Sequence, residues 1–235
     1  MIGIELDELL ERMPRKGRLA THEMVAAVLR EAITNGLLKA NQPLPQDEIA
    51  EQLGVSHIPV REALRQLQSE GLVTYQANRG ATVASLTADE VREIYEIRAI
   101  LETAAIRRAV PRLSDEQLAE AGRILAAAEA DTEGAAWGTH DVDFHALIYA
   151  LDDRPRLKEL IDGLLRRVDR YWLTHGLMLT HRVEFEREHR ALLAAIARRD
   201  AEGAAALLGK HLAGAAELLV AEMERTGVAG MSGGR

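Results

Sequence analysis

The stretch QDEIAEQLGVSHIPVREALRQLQSEGLV constrains the fold of this chain more than any other. Its first part predicts a short helix closed by Gly54. Its second part predicts a longer helix with Pro59 in the first turn, where a missing N–H costs little. Val60, Leu64 and Leu67 recur at helical spacing and predict the buried face of that helix. Two helices joined by a short turn containing glycine form a helix-turn-helix.

The flanking segments extend this unit. THEMVAAVLREAITNGLL, residues 21–38, predicts a preceding helix that closes at Gly36. LVTY, QANRG and ATVASL read as two short strands with Gly80 in the turn between them. Three helices and a β-hairpin predict a winged helix-turn-helix domain over residues 12–86.

The remainder of the chain predicts a mostly α protein. TADE and SDEQ are capping boxes, in which a hydroxyl and a carboxyl or amide side chain satisfy each other's backbone donors. About six helices are expected after residue 87, at about 88–110, 114–130, 139–151, 154–177, 180–198 and 201–226. Residues 87–228 therefore predict an all-helical domain, followed by a disordered tail at 229–235.

Charge is distributed unevenly along the 235 residues, whose formal net charge is −8. Residues 12–86 hold nine Lys/Arg against seven Asp/Glu, so the acidic excess lies outside them. Attraction to phosphate is screened beyond roughly 8–10 Å, so the acidic total does not exclude DNA. The uneven distribution of charge does place any DNA surface before residue 87.

Composition also excludes several classes of protein. The chain has no cysteine, so it has neither a disulfide framework nor a thiolate metal site. Its first residues lack the basic start of a signal peptide, and no apolar run approaches the ~18 residues of a membrane span. We expect a cytoplasmic protein with no membrane partner.

The second helix of the helix-turn-helix carries the candidate DNA-reading residues. A recognition helix contacts bases with its N-terminal residues and phosphates with nearby cations. This places Ser56, His57 and Arg61 toward the groove, with Arg65 one turn later. The alternative is a generic amphipathic helix whose arginines are merely solvated.

These motifs carry a resemblance. VSHIPVREALRQLQSEGLV followed by NRGATV resembles the GntR superfamily of bacterial regulators. IYEIRAILETAAIRRA and DVDFHALI resemble its FadR/VanR-like branch, which has a C-terminal helical FCD effector domain. The resemblance implies a homodimeric transcription regulator that binds double-stranded operator DNA, with Arg79 and Gly80 in the wing.

Two positions depart from the family pattern. The resembling family usually has Arg after the Ser of its recognition helix, and here that residue is His57. Asp47 stands in the preceding helix where Arg is common. Both changes remove a cation from the expected DNA surface, which weakens the transfer of a consensus operator and leaves the DNA-binding interpretation in place.

Four residues form a candidate metal site. Four-residue spacing puts Asp141 and His145 on one helix face, with Cβ atoms roughly 5–6 Å apart. His189 and His211 lie symmetrically about Asp200, so two antiparallel helices turning there would bring them level. The resemblance implies a divalent metal, often zinc or nickel, held by one Asp and three His. The alternative is that these are surface or satisfied core histidines.

No enzyme chemistry stands out. EREH supplies one Glu-x-x-His, whereas a di-iron bundle needs two with further glutamates, and no HExxH is present. We therefore expect no catalytic residue. A metal-dependent small-molecule enzyme with a DNA-binding module, or a constitutive DNA-binding protein with a structural metal, remains the alternative.

Arg98 is the candidate effector-binding residue. Glu102 lies one turn later, so an intrahelical ion pair is one interpretation. The resemblance implies instead that Arg98 binds the carboxylate of a small organic acid in a cavity, which Arg170, His175 and Arg182 could also line. On this interpretation the protein is a ligand-responsive regulator, with repression the commoner family mode.

Overall fold

The computed structural model describes residues 6–12, 20–76, 80–131, 137–149, 154–174 and 177–226. The chain divides into two compact units. Of the described residues, the first unit holds those up to Leu86 together with Leu165–Thr174, and the second holds Thr87–Leu164 and residues 177–226. The domain ranges 12–86, 87–228 and 229–235 stay predictions, and the last lies outside the described residues.

The first unit has the predicted winged helix-turn-helix architecture. Its elements are α1 (Leu6–Arg12), α2 (Thr21–Thr34), α3 (Gln46–Gln52), α4 (His57–Ser69), β1 (Val73–Gln76) and β2 (Gly80–Val83). The sequence did not predict α1. Leu6 of this helix is fully buried, and its backbone N–H donates to the Gln52 side chain at 3.1 Å.

The core of this unit lies between α2 and α4. Val60, Ala63, Leu64 and Leu67 on one face of α4 are all fully buried, which confirms the predicted core face. Gly54 has a φ of +62° in the turn between α3 and α4, a conformation that costs glycine little.

The hairpin pairs β1 and β2 in antiparallel register, from Val73 opposite Val83 to Gln76 opposite Gly80. The hydroxyls of Thr74 and Thr82 lie 3.1 Å apart across the strands. Gly80 opens β2 with a φ of +69°. Arg79, predicted in the wing, lies outside the described residues.

An ion pair fastens α2 to the end of α4. Arg30 donates from Nε and Nη2 to the two carboxylate oxygens of Glu70, at 2.7 and 2.6 Å. Burial alone would raise the pKa of Glu70, but the Arg30 bonds and charge outweigh it and lower that pKa. Both side chains are mostly buried, so the pair contributes more than an exposed one.

The last turns of α8 (Pro155–Thr174) belong to the first unit. The Tyr171 hydroxyl accepts hydrogen bonds from the Leu86 backbone N–H and from Arg170 Nη2, each at 2.8 Å. Arg170 also donates to the Ala84 carbonyl. Arg170, considered as a cavity residue, therefore holds the chain that follows β2.

The second unit is helical throughout its described residues. It contains α5 (Ala88–Ala109), a 3-10 turn (Val110–Arg112), α6 (Asp115–Ala130), α7 (Trp137–Tyr149), the first part of α8, α9 (Leu177–Thr180), α10 (Arg182–Ala197) and α11 (Ala201–Thr226). Both capping boxes are present, with Glu90 N–H donating to Thr87 Oγ1 and Gln117 N–H to Ser114 Oγ. The six longer helices agree with the prediction. The short α9 was not predicted separately.

Helix α11 packs along α5 and supplies much of this core. Ten of its 26 residues are buried, Leu208, Leu212 and Leu219 among them. By length and composition it is the one described helix that could cross a membrane. Its apolar face is taken up by the core, which explains the same composition without a membrane.

Candidate functional site

The candidate DNA-reading residues share one exposed face. Ser56 is the N-cap of α4, and its hydroxyl makes no capping bond. Ser56, His57, Arg61 and Arg65 are all exposed, opposite the buried core face of the same helix. The N-terminal half of α4 thus presents one hydroxyl, one imidazole and two guanidinium groups to solvent.

The two departures from the family pattern are in contact. His57 Nδ1 lies 3.3 Å from Asp47 Oδ1, which joins the start of α4 to α3. Both side chains are largely exposed, 63% for His57 and 91% for Asp47. A carboxylate therefore stands on this face beside the first residue of the recognition helix.

The four predicted metal-ligating residues converge in the second unit. His145 on α7, His189 on α10 and His211 on α11 are buried, and one ring nitrogen of each lies within 4.8 Å of the others. Asp141 lies one turn before His145. Its Oδ1 is 3.4 Å from His189 Nε2 and 3.9 Å from His145 Nε2.

The turn between α10 and α11 brings two of these histidines level. Arg199 adopts a φ of +59° there, and Asp200 Oδ1 accepts the Gly203 N–H at 2.8 Å and caps α11. His189 and His211 then face each other from adjacent helices, with ring centroids 4.8 Å apart. The symmetric spacing about Asp200 is the signal that predicted this approach.

Two of the distances between candidate ligand atoms are those expected around a single ion. Ligand atoms at ~2.1 Å from one metal lie roughly 3.0–3.4 Å apart in octahedral or tetrahedral geometry. His145 Nε2 and His189 Nε2 are separated by 3.2 Å. Phe144 and Phe185 pack against the rings, with centroids 5.2 Å from His189 and 5.5 Å from His211, and make the surroundings apolar.

Burial sets the protonation of this cluster. It lowers the pKa of His189 to about 3 and the pKa of His145 well below its usual value, and neighbouring histidines add to both effects. It raises the pKa of Asp141 to about 6, against the opposing charges of His211 and Arg98. The two imidazoles are therefore neutral, which is the form that binds metals.

Two partners of the histidines were not predicted. His211 Nδ1 lies 2.8 Å from Glu188 Oε2, a bond that lowers the pKa of Glu188. His145 Nδ1 lies 3.1 Å from the Tyr149 hydroxyl, which donates to Glu102. The four-residue spacing from His145 to Tyr149 was the available signal for the second contact.

Arg98 forms the ion pair with Glu102 that the sequence offered as the alternative to effector binding, donating from Nε to Oε1 at 2.7 Å. Burial opposes its charge, but Glu102 outweighs burial and raises the pKa of Arg98. Its guanidinium lies over the Tyr95 ring, 4.6 Å from the centroid. Within the described part of the chain, no acceptor is found for its two terminal nitrogens, so the ion pair leaves donors for a ligand.

Arg182, another cavity candidate, is engaged by backbone carbonyls. Arg182 donates to the carbonyls of Ala128, Glu129 and Asp131 and so closes the end of α6. His175 lies outside the described residues.

Comparison with known families decides the classification. Residues 21–83 match the gntR family of bacterial regulatory proteins, and residues 93–214 match the FCD domain. The chain belongs to the GntR family. It is a DNA-binding transcription regulator with an FCD domain behind its winged helix-turn-helix, as the motifs predicted.

Relatives of this GntR-family chain are transcription regulators. It is 32% identical to the HTH-type transcriptional regulator YdhC of Bacillus subtilis, over 75% of this chain and 80% of that protein. It is 35% identical to the gluconate operon transcriptional repressor of Bacillus licheniformis, over 46% and 44% of the two chains. The match to regulators supports the expectation that this GntR-family protein is not an enzyme.

A solved structure shares its fold. The crystal structure of a transcriptional regulator assigned to GntR, from Rhodococcus sp. RHA1, has a TM-score of 0.73 and 26% identity. The match covers 85% of this chain and 97% of that one. The GntR-like fold therefore extends over both units.

Proposed function

We propose that this GntR-family regulator senses a small organic acid through a divalent metal, zinc or nickel, held by Asp141, His145, His189 and His211. The observation that carries the proposal is the buried convergence of three histidines and one aspartate from three helices. Four such donors in an apolar surrounding are costly to bury unless they have a common partner.

The donor set suits these metals. Imidazole nitrogen and carboxylate oxygen are ligands of zinc and nickel, and affinity alone discriminates poorly between the two ions. A bound ion would offer a Lewis-acid position to a ligand oxygen. Four protein ligands leave room for a carboxylate on an octahedral ion.

Arg98 would take the other end of such a ligand. A guanidinium binds carboxylates in a bidentate manner, and the Nε bond to Glu102 leaves the terminal nitrogens for that purpose. The acid would thus be held by a cation on one side and by the metal on the other. A di- or tricarboxylate or a sugar acid fits this requirement.

The acid would act by changing affinity for DNA. A ligand shifts an equilibrium only by binding its two states differently, so the acid must bind the DNA-bound and free arrangements unequally. We propose a homodimeric repressor in the cytoplasm, released by its ligand. The similarity to a gluconate operon repressor supports repression and a sugar acid.

A thermal-shift screen tests this function. Purified protein is loaded with zinc or nickel, stripped with chelator in a parallel sample, and heated with citrate, malate, gluconate or glucarate. Binding to the folded state should raise Tm in the loaded sample alone. Metal uptake without a response to any carboxylate, in Tm or operator affinity, would favour a structural metal in a constitutive DNA-binding protein.

A further inference from the structure

We propose that Tyr149 and Glu102 are positioning residues that hold His145 as an Nε2 metal ligand and connect it to Arg98. The inference rests on the proposed metal function. It assigns roles to two buried side chains that are neither ligands nor effector contacts.

The hydrogen bonds of Tyr149 determine which groups donate and which accept between His145 and Glu102. A phenol has one proton to donate, and the Tyr149 hydroxyl donates it to Glu102 Oε2. Its 3.1 Å contact with His145 Nδ1 must then run the other way, from the ring N–H to the phenolic oxygen. Tyr149 therefore acts as acceptor for His145 and as donor for Glu102.

This fixes the tautomer of His145. A neutral imidazole carries one ring proton, and here that proton is on Nδ1. Nε2 is left with its lone pair. It is also the atom that lies 3.2 Å from His189 Nε2 and 3.9 Å from Asp141 Oδ1. The ligand atom of His145 thus points into the cluster because the opposite nitrogen is occupied.

Glu102 anchors this series of hydrogen bonds at its other end. Its side chain is fully buried, and it accepts from Tyr149 through Oε2 and from Arg98 Nε through Oε1. Each of its two oxygens thus has a donor, one of them charged. Three successive hydrogen bonds therefore run from Arg98 through Glu102 and Tyr149 to His145.

A consequence for ligand binding follows. An acid bound to the terminal nitrogens of Arg98 would share that guanidinium with Glu102 and so change how strongly Glu102 holds Tyr149. His211 has a separate outer partner in Glu188, at 2.8 Å. Of these two histidines, only His145 is connected to Arg98 by the bonds described here.

The substitution Tyr149→Phe tests the role of the hydroxyl, because it removes that group and keeps the ring. Zinc affinity, measured by competition with a chromogenic chelator, should weaken about 10–100-fold, as for other outer partners of metal-bound histidines. Tyr171→Phe is the matched control, since it removes another buried hydroxyl, in the first unit. It should leave zinc affinity unchanged.

A second measurement needs no metal. Nitrogen-15 NMR of histidine-labelled, metal-free protein at pH 8 should show His145 as the Nδ1–H tautomer in the wild type. In Tyr149→Phe, the spectrum should show a mixture of the two His145 tautomers. A merely structural Tyr149 would lower stability without altering either the tautomer or zinc affinity of the folded protein.

The two failures are distinguishable. A folded Tyr149→Phe variant with wild-type zinc affinity, or a wild-type His145 protonated on Nε2, would overturn the positioning role. A wild type that takes up neither zinc nor nickel would contradict the proposed function instead, and the tautomer would then decide the positioning role by itself.

Discussion

His189 Nε2 lies 3.4 Å from Asp141 Oδ1, although the two residues are on different helices, α10 and α7. The same carboxylate oxygen is 3.9 Å from His145 Nε2. An isolated pair of this kind would be an ordinary buried contact. Together with His211, it becomes a four-donor site in which burial keeps His145 and His189 neutral, and this site is the basis of the predictions on metal and ligand.

Removal of one ligand should abolish metal binding. His189→Ala deletes the donor nearest to Asp141, so elemental analysis should find no zinc or nickel where the wild type carries up to one ion per chain. The Tm gain from added zinc, corresponding to about 2.7 kcal/mol at a hundredfold excess over Kd, should disappear with it.

His22→Ala is the control for this prediction. His22 is half exposed in the first unit, and its one ion pair with a described residue is to Glu62, at 3.9 Å. This variant should keep its metal. A full complement of metal in a His145, His189 and His211 triple alanine variant would contradict the site.

The recognition helix should depend on Arg61. Arg61→Ala should weaken operator binding while circular dichroism stays unchanged, because the side chain is exposed. A phosphate contact should lower the salt slope by about one, whereas a base contact should cost ~1–3 kcal/mol at one position. Arg123→Ala, an exposed arginine of the second unit, is the control. Equal operator affinities of the two variants would remove Arg61 from the interface.

The contact between Asp47 and His57 should moderate affinity for DNA. Asp47→Ala removes a carboxylate from the proposed DNA-binding surface and should strengthen non-specific binding at low salt. His57→Arg alone should increase affinity for DNA less than it would without Asp47, because Asp47 lies 3.3 Å from His57 and would pair with the new guanidinium. In a double-mutant cycle measured by filter binding, the variant carrying both substitutions should gain more free energy of DNA binding than the sum of the two single gains. Strict additivity would mean that the two side chains act independently.

Glu70 gives a pH-dependent contribution to the stability of the first unit. Its pKa is lowered in the folded state, so the contribution is complete above the unfolded value, about 4.3, and is lost as pH falls through the lower folded value. Glu70→Gln should cost about 1–3 kcal/mol of unfolding free energy at pH 7, by urea denaturation. The difference from wild type should shrink below about pH 4.

Glu62→Gln on the same helix is the matched control for Glu70. Its carboxylate is half exposed, and its one ion pair within the described part of the chain is the 3.9 Å contact with His22, so little change is expected at either pH. A Glu70→Gln deficit of the same size at pH 7 and pH 3.5 would show that the Arg30 ion pair is not its cause.

Local patterns predicted much of the fold. Helical spacing located Val60, Leu64 and Leu67 on the buried face of α4, and the capping boxes located the starts of α5 and α6. These features depend on neighbours within one or two turns, so the sequence carries them directly.

Contacts between distant segments were harder to predict. The helix α1 has only two turns, and it is held by the burial of Leu6 and a bond to Gln52 rather than by its own propensity. Arg170 and Tyr171 contact the chain near Ala84, which no periodicity indicates. Such contacts arise from packing between segments far apart in the sequence.

The candidate site also contains some features that the sequence predicted and others that it did not. The symmetric spacing of His189 and His211 about Asp200 and the resemblance to the GntR family indicated the ligand set. Glu188 and Tyr149 were not singled out, because each has meaning only once the histidine rings are placed. The contact between Asp47 and His57 likewise requires the angle between α3 and α4.

One measurement tests the central claim most directly: the affinity of metal-loaded protein for its operator, titrated with and without the carboxylate that raises Tm. We expect a change of about 5–150-fold, lost after chelation and in folded Arg98→Ala measured at a zinc concentration that fills its site. An unchanged operator affinity in metal-loaded protein saturated with that acid, or an undiminished response in folded Arg98→Ala, would contradict it.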